Sequence, residues 1–161
     1  MDSAAVFAAL DEADVRFVIV GGLAVVAHGH ARLTVDTDLV IDLEEAPASR
    51  AMDALVALGL EPRAPVDARR FADPKSRLSW IEEKGMLVFS FFDPRDQVAE
   101  LDVFVESPLP FEVLYADAIE TTVAGRRVRV ASIDHLIEMK RRAGRPKDIE
   151  DIRELEALRD E

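Results

Sequence analysis

A mixed α/β fold, with a twisted mixed sheet flanked by helices and closed by C-terminal helices, is what the amino-acid sequence predicts. Three observations predict it. Short apolar runs of strand length alternate with helical stretches through the first third of the chain. Hairpin signals intrude after that, which disfavours a purely parallel sheet. The last thirty residues then read as two helices joined at a Gly-Arg-Pro step.

In order, "SAAVFAALDEA" has helical spacing of small and apolar residues, with Asp2 or Ser3 available to cap its first turn. "RFVIV" is a short buried strand, and Gly21-Gly22 follows it at once. "LAVVAHG" is apolar enough for a helix packed beneath a sheet, ending near Gly29. "DLVIDL" is the next strand, and "APASRAMDALVALGL" the next helix, with Pro47 in its first turn and Gly59 at its stop. From Glu61 to Lys75 the apolar period is weak and the reading is a surface loop. "RLSWIEE", "KG" and "MLVFSFFD" read as a hairpin, "DPRDQ" as a turn and "AELDVFVE" as a further strand. "LPFEVLYADA" is a short helix, and "TTVAGRRVRVA" a second hairpin around Ala124 and Gly125. "SIDHLIEMKRRAG" opens on a capping Ser132 and closes at Gly144, and "RPKDIEDIRELEAL" is the final helix, started by Pro146. One domain over 1–161 is expected, with its core over about 1–106 and the C-terminal hairpin and helices over about 107–161.

Composition narrows the chemistry. Cysteine is absent, so thiolate metal sites and cysteine nucleophiles drop out. No apolar run approaches the roughly 20 residues of a membrane span, and the acidic N-terminus lacks a signal peptide's basic region; the expectation is a cytoplasmic protein with no membrane partner. A net charge of −12 argues against a broad nucleic-acid-binding surface, although "MKRRAGRPK" and "GRRVR" are locally basic.

The stretch "RLTVDTDLVID" sets the main question. It reads as a half-buried strand, yet carries Asp36, Asp38 and Asp42, and a carboxylate there costs free energy unless a positive charge meets it. Residues two apart on a strand share a face, so Asp36 and Asp38 point together and away from Thr37, Leu39 and Ile41. In "ELDVFVE", Asp102 lies opposite to the face of Leu101, Val103 and Val105. If the two strands are neighbours, three carboxylates meet, and a divalent cation such as magnesium relieves their repulsion. Two such ions can clamp the oxygens of a phosphoryl transfer. Glycines directly after a strand let backbone N–H groups approach a phosphate. The residues therefore point to a metal ion and a nucleoside triphosphate.

"VGGLAVVAHGHARLTVDTDLVI" resembles the signature of the nucleotidyltransferase superfamily to which DNA polymerase beta belongs: Gly-Gly, then Asp-x-Asp, then a later strand aspartate. Within it the chain resembles small bacterial nucleotidyltransferase-like proteins, among them toxins of the type IV toxin–antitoxin class. Those often carry R-x-T-x-D-x-D, here Arg32, Thr34, Asp36 and Asp38. They also end in a lysine helix and G-R-P-K-D-x-x-D, here Lys140, Gly144, Arg145, Pro146, Lys147, Asp148 and Asp151. The resemblance implies the nucleotidyltransferase fold, and magnesium or manganese held by Asp36, Asp38 and Asp102, with Asp102 also the base toward an acceptor hydroxyl. It implies that Gly21 and Gly22, with Arg32 and Thr34, hold the nucleotide, that Lys140 neutralises phosphate, and that Asp148 orients Lys140 or assists the acceptor. One departure is that many active members have serine where Gly22 stands.

Other residues have plainer readings. Asp42 suits the surface end of a strand, and His28 and His30 suit capping or local hydrogen bonds. Trp80, Phe89, Phe91 and Phe92 suit the core better than base stacking. The leading expectation is an enzyme that moves a nucleoside monophosphate from a triphosphate to a hydroxyl of a tRNA, protein or small molecule, within or outside a toxin–antitoxin pair. The second is the same fold without catalysis, serving as a nucleotide- or partner-binding module.

Overall fold

A computed structural model describes the whole chain, residues 1–161. Seven helices and a seven-stranded sheet account for most of it. Helix α1 (Ser3–Glu12) is capped by the Asp2 side chain and leads to β1 (Phe17–Val20), buried throughout. Helix α2 (Gly21–Ala27) begins at the first glycine itself, and β2 (Thr37–Ile41) follows after an irregular segment. Next come α3 (Glu45–Ala57), the two-residue β3 (Glu61–Pro62), a 3-10 turn (Ala68–Ala72), and α4 (Pro74–Lys84). Strands β4 (Val88–Asp93) and β5 (Asp96–Phe104) form a hairpin. The chain ends with α5 (Phe111–Asp117), the hairpin β6 (Ile119–Val123) and β7 (Arg126–Val130), α6 (Ile133–Ala143) and α7 (Pro146–Arg159).

Strand order in the sheet is β3-β4-β5-β2-β1-β7-β6. Two pairings, β2 with β5 and β1 with β7, are parallel, and the rest are antiparallel, so the sheet is mixed as the hairpin signals foretold. The C-terminal hairpin extends the sheet that the N-terminal strands begin. On one face Leu39, Leu101, Val103, Phe89 and Phe91 pack into the core with Phe71 and Trp80. Ser3 Oγ lies 3.0 Å from Thr37 Oγ1, tying α1 to that same face of β2.

Two segments depart from what the sequence predicts. "RLSWIEE" is no strand: it lies within α4, whose N-cap Asp73 accepts from Lys75 N–H, with Pro74 in the first turn and left-handed Gly85 at its end. The hairpin partner of β4 is β5, which turns through Pro94 and Arg95. Nor is the Glu61–Lys75 segment wholly loop, since β3 pairs with β4 and the 3-10 turn buries Ala68, Phe71 and Ala72. Three of the four aromatic residues behave as core: Trp80 stacks on Phe89 at 5.1 Å, and Phe89 meets Phe91 edge-on at 5.3 Å, whereas the half-buried Phe92 lies under the Arg63 guanidinium.

Candidate active site

The register of β2 against β5 makes the site. Asp38 lies directly opposite Asp102, with Thr37 opposite Leu101 and Leu39 opposite Val103. Odd positions of both strands face the core, so the even ones share the other face. Asp36, one step before β2, also belongs there, and its Oδ1 accepts the Glu100 backbone N–H at 2.9 Å. Ser90 on β4 stands on the far side of Asp102 and donates its hydroxyl to Oδ1 at 2.6 Å. Ser90 is the lone polar side chain between Phe89 and Phe91, a signal the sequence reading passed over.

Electrostatics mark the pair. Burial, followed by the charge of Asp102, pushes the Asp38 carboxyl up to about 7. Burial also raises the Asp102 carboxyl, against the Ser90 hydrogen bond that lowers it. Gly21, at φ +70°, lies so close that a Cβ on it would overlap the Asp38 carboxylate oxygen. Only glycine accepts both that backbone angle and that contact. A Cβ on Gly22 would sit 2.8 Å from Thr34 Oγ1, so the two residues pack edge to edge.

Asp36, Asp38 and Asp102 line one cavity of about 490 Å³, together with Gly21, Gly22, Arg32 and Lys140. Arg145, Lys147 and Asp151 complete its charged lining, and Val88, Phe104, Pro108 and Met139 form an apolar wall. The three aspartates are not gathered into a ready-made cation cage, and one Asp36 oxygen accepts the Glu100 N–H. As hard oxygen donors on adjacent strands they suit magnesium or manganese, which keep several positions for water and phosphate.

Across the cavity, Lys140 is 7% exposed and hydrogen-bonds Asp151 at 2.9 Å, while Asp148 Oδ1 is 3.7 Å away. Asp148 itself is 0% exposed and does not line the cavity. Both its oxygens are taken by Arg145, whose backbone N–H, Nε and Nη2 donate at 3.0, 2.8 and 3.2 Å. Burial alone would raise its carboxyl, but these bonds hold it below the usual carboxylate range. Asp148 thus supports Arg145 more directly than Lys140. Elsewhere, Asp42 pairs with Arg16 at 2.9 Å, and His28 Nε2 bonds the Ala131 carbonyl oxygen at 2.8 Å.

A family model for aminoglycoside-2''-adenylyltransferase matches residues 3–155. The chain belongs to the aminoglycoside-2''-adenylyltransferase family. This family lies within the nucleotidyltransferases, so the superfamily resemblance holds and the chain is a nucleotidyltransferase. Solved members and neighbours share its fold. The solution structure of the antibiotic-resistance factor ANT(2'')-Ia has a TM-score of 0.59 at 20% identity, over 99% of this chain and 91% of that one. ANT(2'')-Ia in complex with adenylyl-2''-tobramycin gives 0.55 at 20% identity, over 96% and 90%. The lincomycin-bound lincosamide adenylyltransferase LnuA gives 0.58 at 12% identity, over 92% and 90%. No curated protein matches the chain in sequence. For this adenylyltransferase family member, no helix is long and apolar enough to cross a membrane.

Proposed function

We propose that this protein transfers AMP from ATP to a hydroxyl of a small-molecule acceptor, releasing pyrophosphate. The observation that carries the reading is the parallel register of Asp38 with Asp102, beside Asp36 and across a cavity from Lys140 and Arg145. Asp36, Asp38 and Asp102 would hold magnesium or manganese. Bound there, the metal would neutralise the carboxylates and polarise the phosphate being transferred. Lys140, Arg145 and Lys147 face the same space and would meet the charge of the polyphosphate. Gly21 leaves room for the Asp38 carboxylate to lie against the start of α2. The acceptor oxygen forms its bond to the α-phosphorus, the bond to pyrophosphate breaks, and the acceptor proton passes to Asp102. Ser90 occupies one Asp102 oxygen.

A small hydroxyl compound is the favoured acceptor. ANT(2'')-Ia was solved with an adenylylated aminoglycoside and LnuA with lincomycin, and antibiotics of these kinds are the first acceptors to try. A tRNA acceptor has less support, because the basic segments are largely spent internally. Arg141 pairs with Glu156, Arg142 with Glu138, Arg126 with Asp11, and Arg127 and Arg129 with Glu120. Such neutralised pairs draw a polyanion weakly. Protein acceptors and a toxin–antitoxin partner have no surface feature in their favour.

The test is incubation with labelled ATP, magnesium and tobramycin, lincomycin or a cell extract, following pyrophosphate release and the mass of the product. A product heavier by one AMP, lost in Asp102→Asn, is the expected result. Tight ATP binding with no pyrophosphate released from any mixture would replace this reading with that of a nucleotide-binding module.

A further inference from the structure

Two cations from distant parts of the chain meet on one carboxylate beside the cavity. Asp151, on the second turn of α7, is 3% exposed. Its Oδ2 accepts a hydrogen bond from Lys140 Nζ at 2.9 Å and another from Arg32 Nη1. Lys140 comes from α6, whereas Arg32 comes from the irregular segment between α2 and β2, 119 residues before Asp151. No other hydrogen bond or ion pair holds the Arg32 guanidinium.

We propose that Asp151 is a positioning residue, whose carboxylate holds Lys140 and Arg32 side by side as one two-pronged cation for the polyphosphate of the nucleotide. The proposal rests on the nucleotide-transfer reading. Asp148 is not placed for this role: its hydrogen bonds come from Arg145, it lies 3.7 Å from Lys140, and it has no contact with Arg32. An ammonium has three N–H donors and a guanidinium five, and Asp151 engages one from each, so the others stay free for a ligand in the cavity that all three residues line. Two positive charges on one carboxylate also leave a surplus positive charge at that wall. Without the carboxylate the cations repel, and Arg32 loses the contact that fixes it.

The test uses the full chain and four variants: Asp151→Asn, Asp151→Glu, Arg32→Gln, and the double change D151N with R32Q. Calorimetry with inorganic tripolyphosphate and magnesium reads the phosphate subsite, and steady-state kinetics separates KM for ATP from kcat. Asp151→Asn should weaken tripolyphosphate binding about tenfold and raise the KM for ATP by a similar factor, with kcat changed less. Asp151→Glu, which keeps the charge, should recover most of that loss. If Asp151 acts through Arg32, the double variant loses less than the product of the two single losses. Unchanged tripolyphosphate affinity in Asp151→Asn, with a lowered Tm alone, would make Asp151 a structural tie and overturn the proposal. Tighter binding would also overturn it, by showing that the carboxylate competes with phosphate. Should Asp151→Asn fail to fold, Arg32→Gln still decides: tripolyphosphate affinity equal to the parent refutes it. A parent chain that binds neither tripolyphosphate nor ATP would instead remove the nucleotide-transfer reading itself.

Discussion

Asp38 shows how one residue carries two opposed demands. On the proposed reading it must stay negative to hold a cation, yet it lies half-buried against Asp102 and Gly21, where negative charge is disfavoured. In metal-free solution this has a signed consequence. The unfolded chain ionises Asp38 near pH 4, while the folded chain does so only near pH 7. Below about pH 4 the residue is protonated in both states and costs nothing; between there and pH 7 the penalty grows, and above pH 7 it is fully present. Asp38→Asn should therefore match or exceed the parent in Tm above pH 7 in EDTA, and lose the downward slope between pH 5 and 7. The same variant, like Asp36→Asn, should release no pyrophosphate with magnesium present. A melt several degrees lower at pH 8 would mean that the carboxylate is a structural anchor. At this scale the period-2 alternation of "VDTDLVID" and "ELDVFVE" was enough to find the aspartates. Asp151 enters only through the resembling G-R-P-K-D-x-x-D motif, without partners, and Ser90 not at all. Their partners come from the packing of α6 on α7 and the pairing of β4 with β5, which no local pattern encodes.

Helix α4 is the element that the sequence hid. Its inward face carries Ser76, Arg77 and Trp80, two of them polar, so the apolar period of a helix does not emerge. Arg77 is buried there because its guanidinium donates to the Phe71 and Leu43 carbonyl oxygens. The signals that would have found the helix were its ends, Asp73-Pro74 and Gly85, rather than its middle. Trp80 is the anchor of this helix against β4. Trp80→Ala should cost about 3–5 kcal/mol in urea unfolding. Leu78→Ala, on the exposed side of the same helix, should change stability by less than about 0.5 kcal/mol. Equal effects at the two positions would contradict the orientation of α4.

At the scale of the whole molecule, the prediction concerns ligand linkage. If the carboxylates of Asp36, Asp38 and Asp102 and the cations of Arg32, Lys140, Arg145 and Lys147 frame one nucleotide, ATP and magnesium should stabilise the fold together and neither should do so fully alone. At a concentration 100 times the Kd the gain is about 2.7 kcal/mol. For a chain of this size that raises Tm by roughly 5–10 °C. An equal rise with ATP in EDTA would show that the aspartates take no part in holding the nucleotide.

The parallel pairing of β2 with β5 has a further consequence for biogenesis. Between the two strands the chain must first lay down α3, the 3-10 turn, α4 and β4. The aspartates therefore cannot meet while the nascent polypeptide is still short of β5, and long-range parallel pairing is slow to close. A slip of a single position would turn Asp102 toward Leu101's side of the sheet, leaving a well-formed hairpin with an idle centre. Nucleotide capture should accordingly be the last property a refolding chain regains, and a more exacting gauge of correct strand docking than circular dichroism.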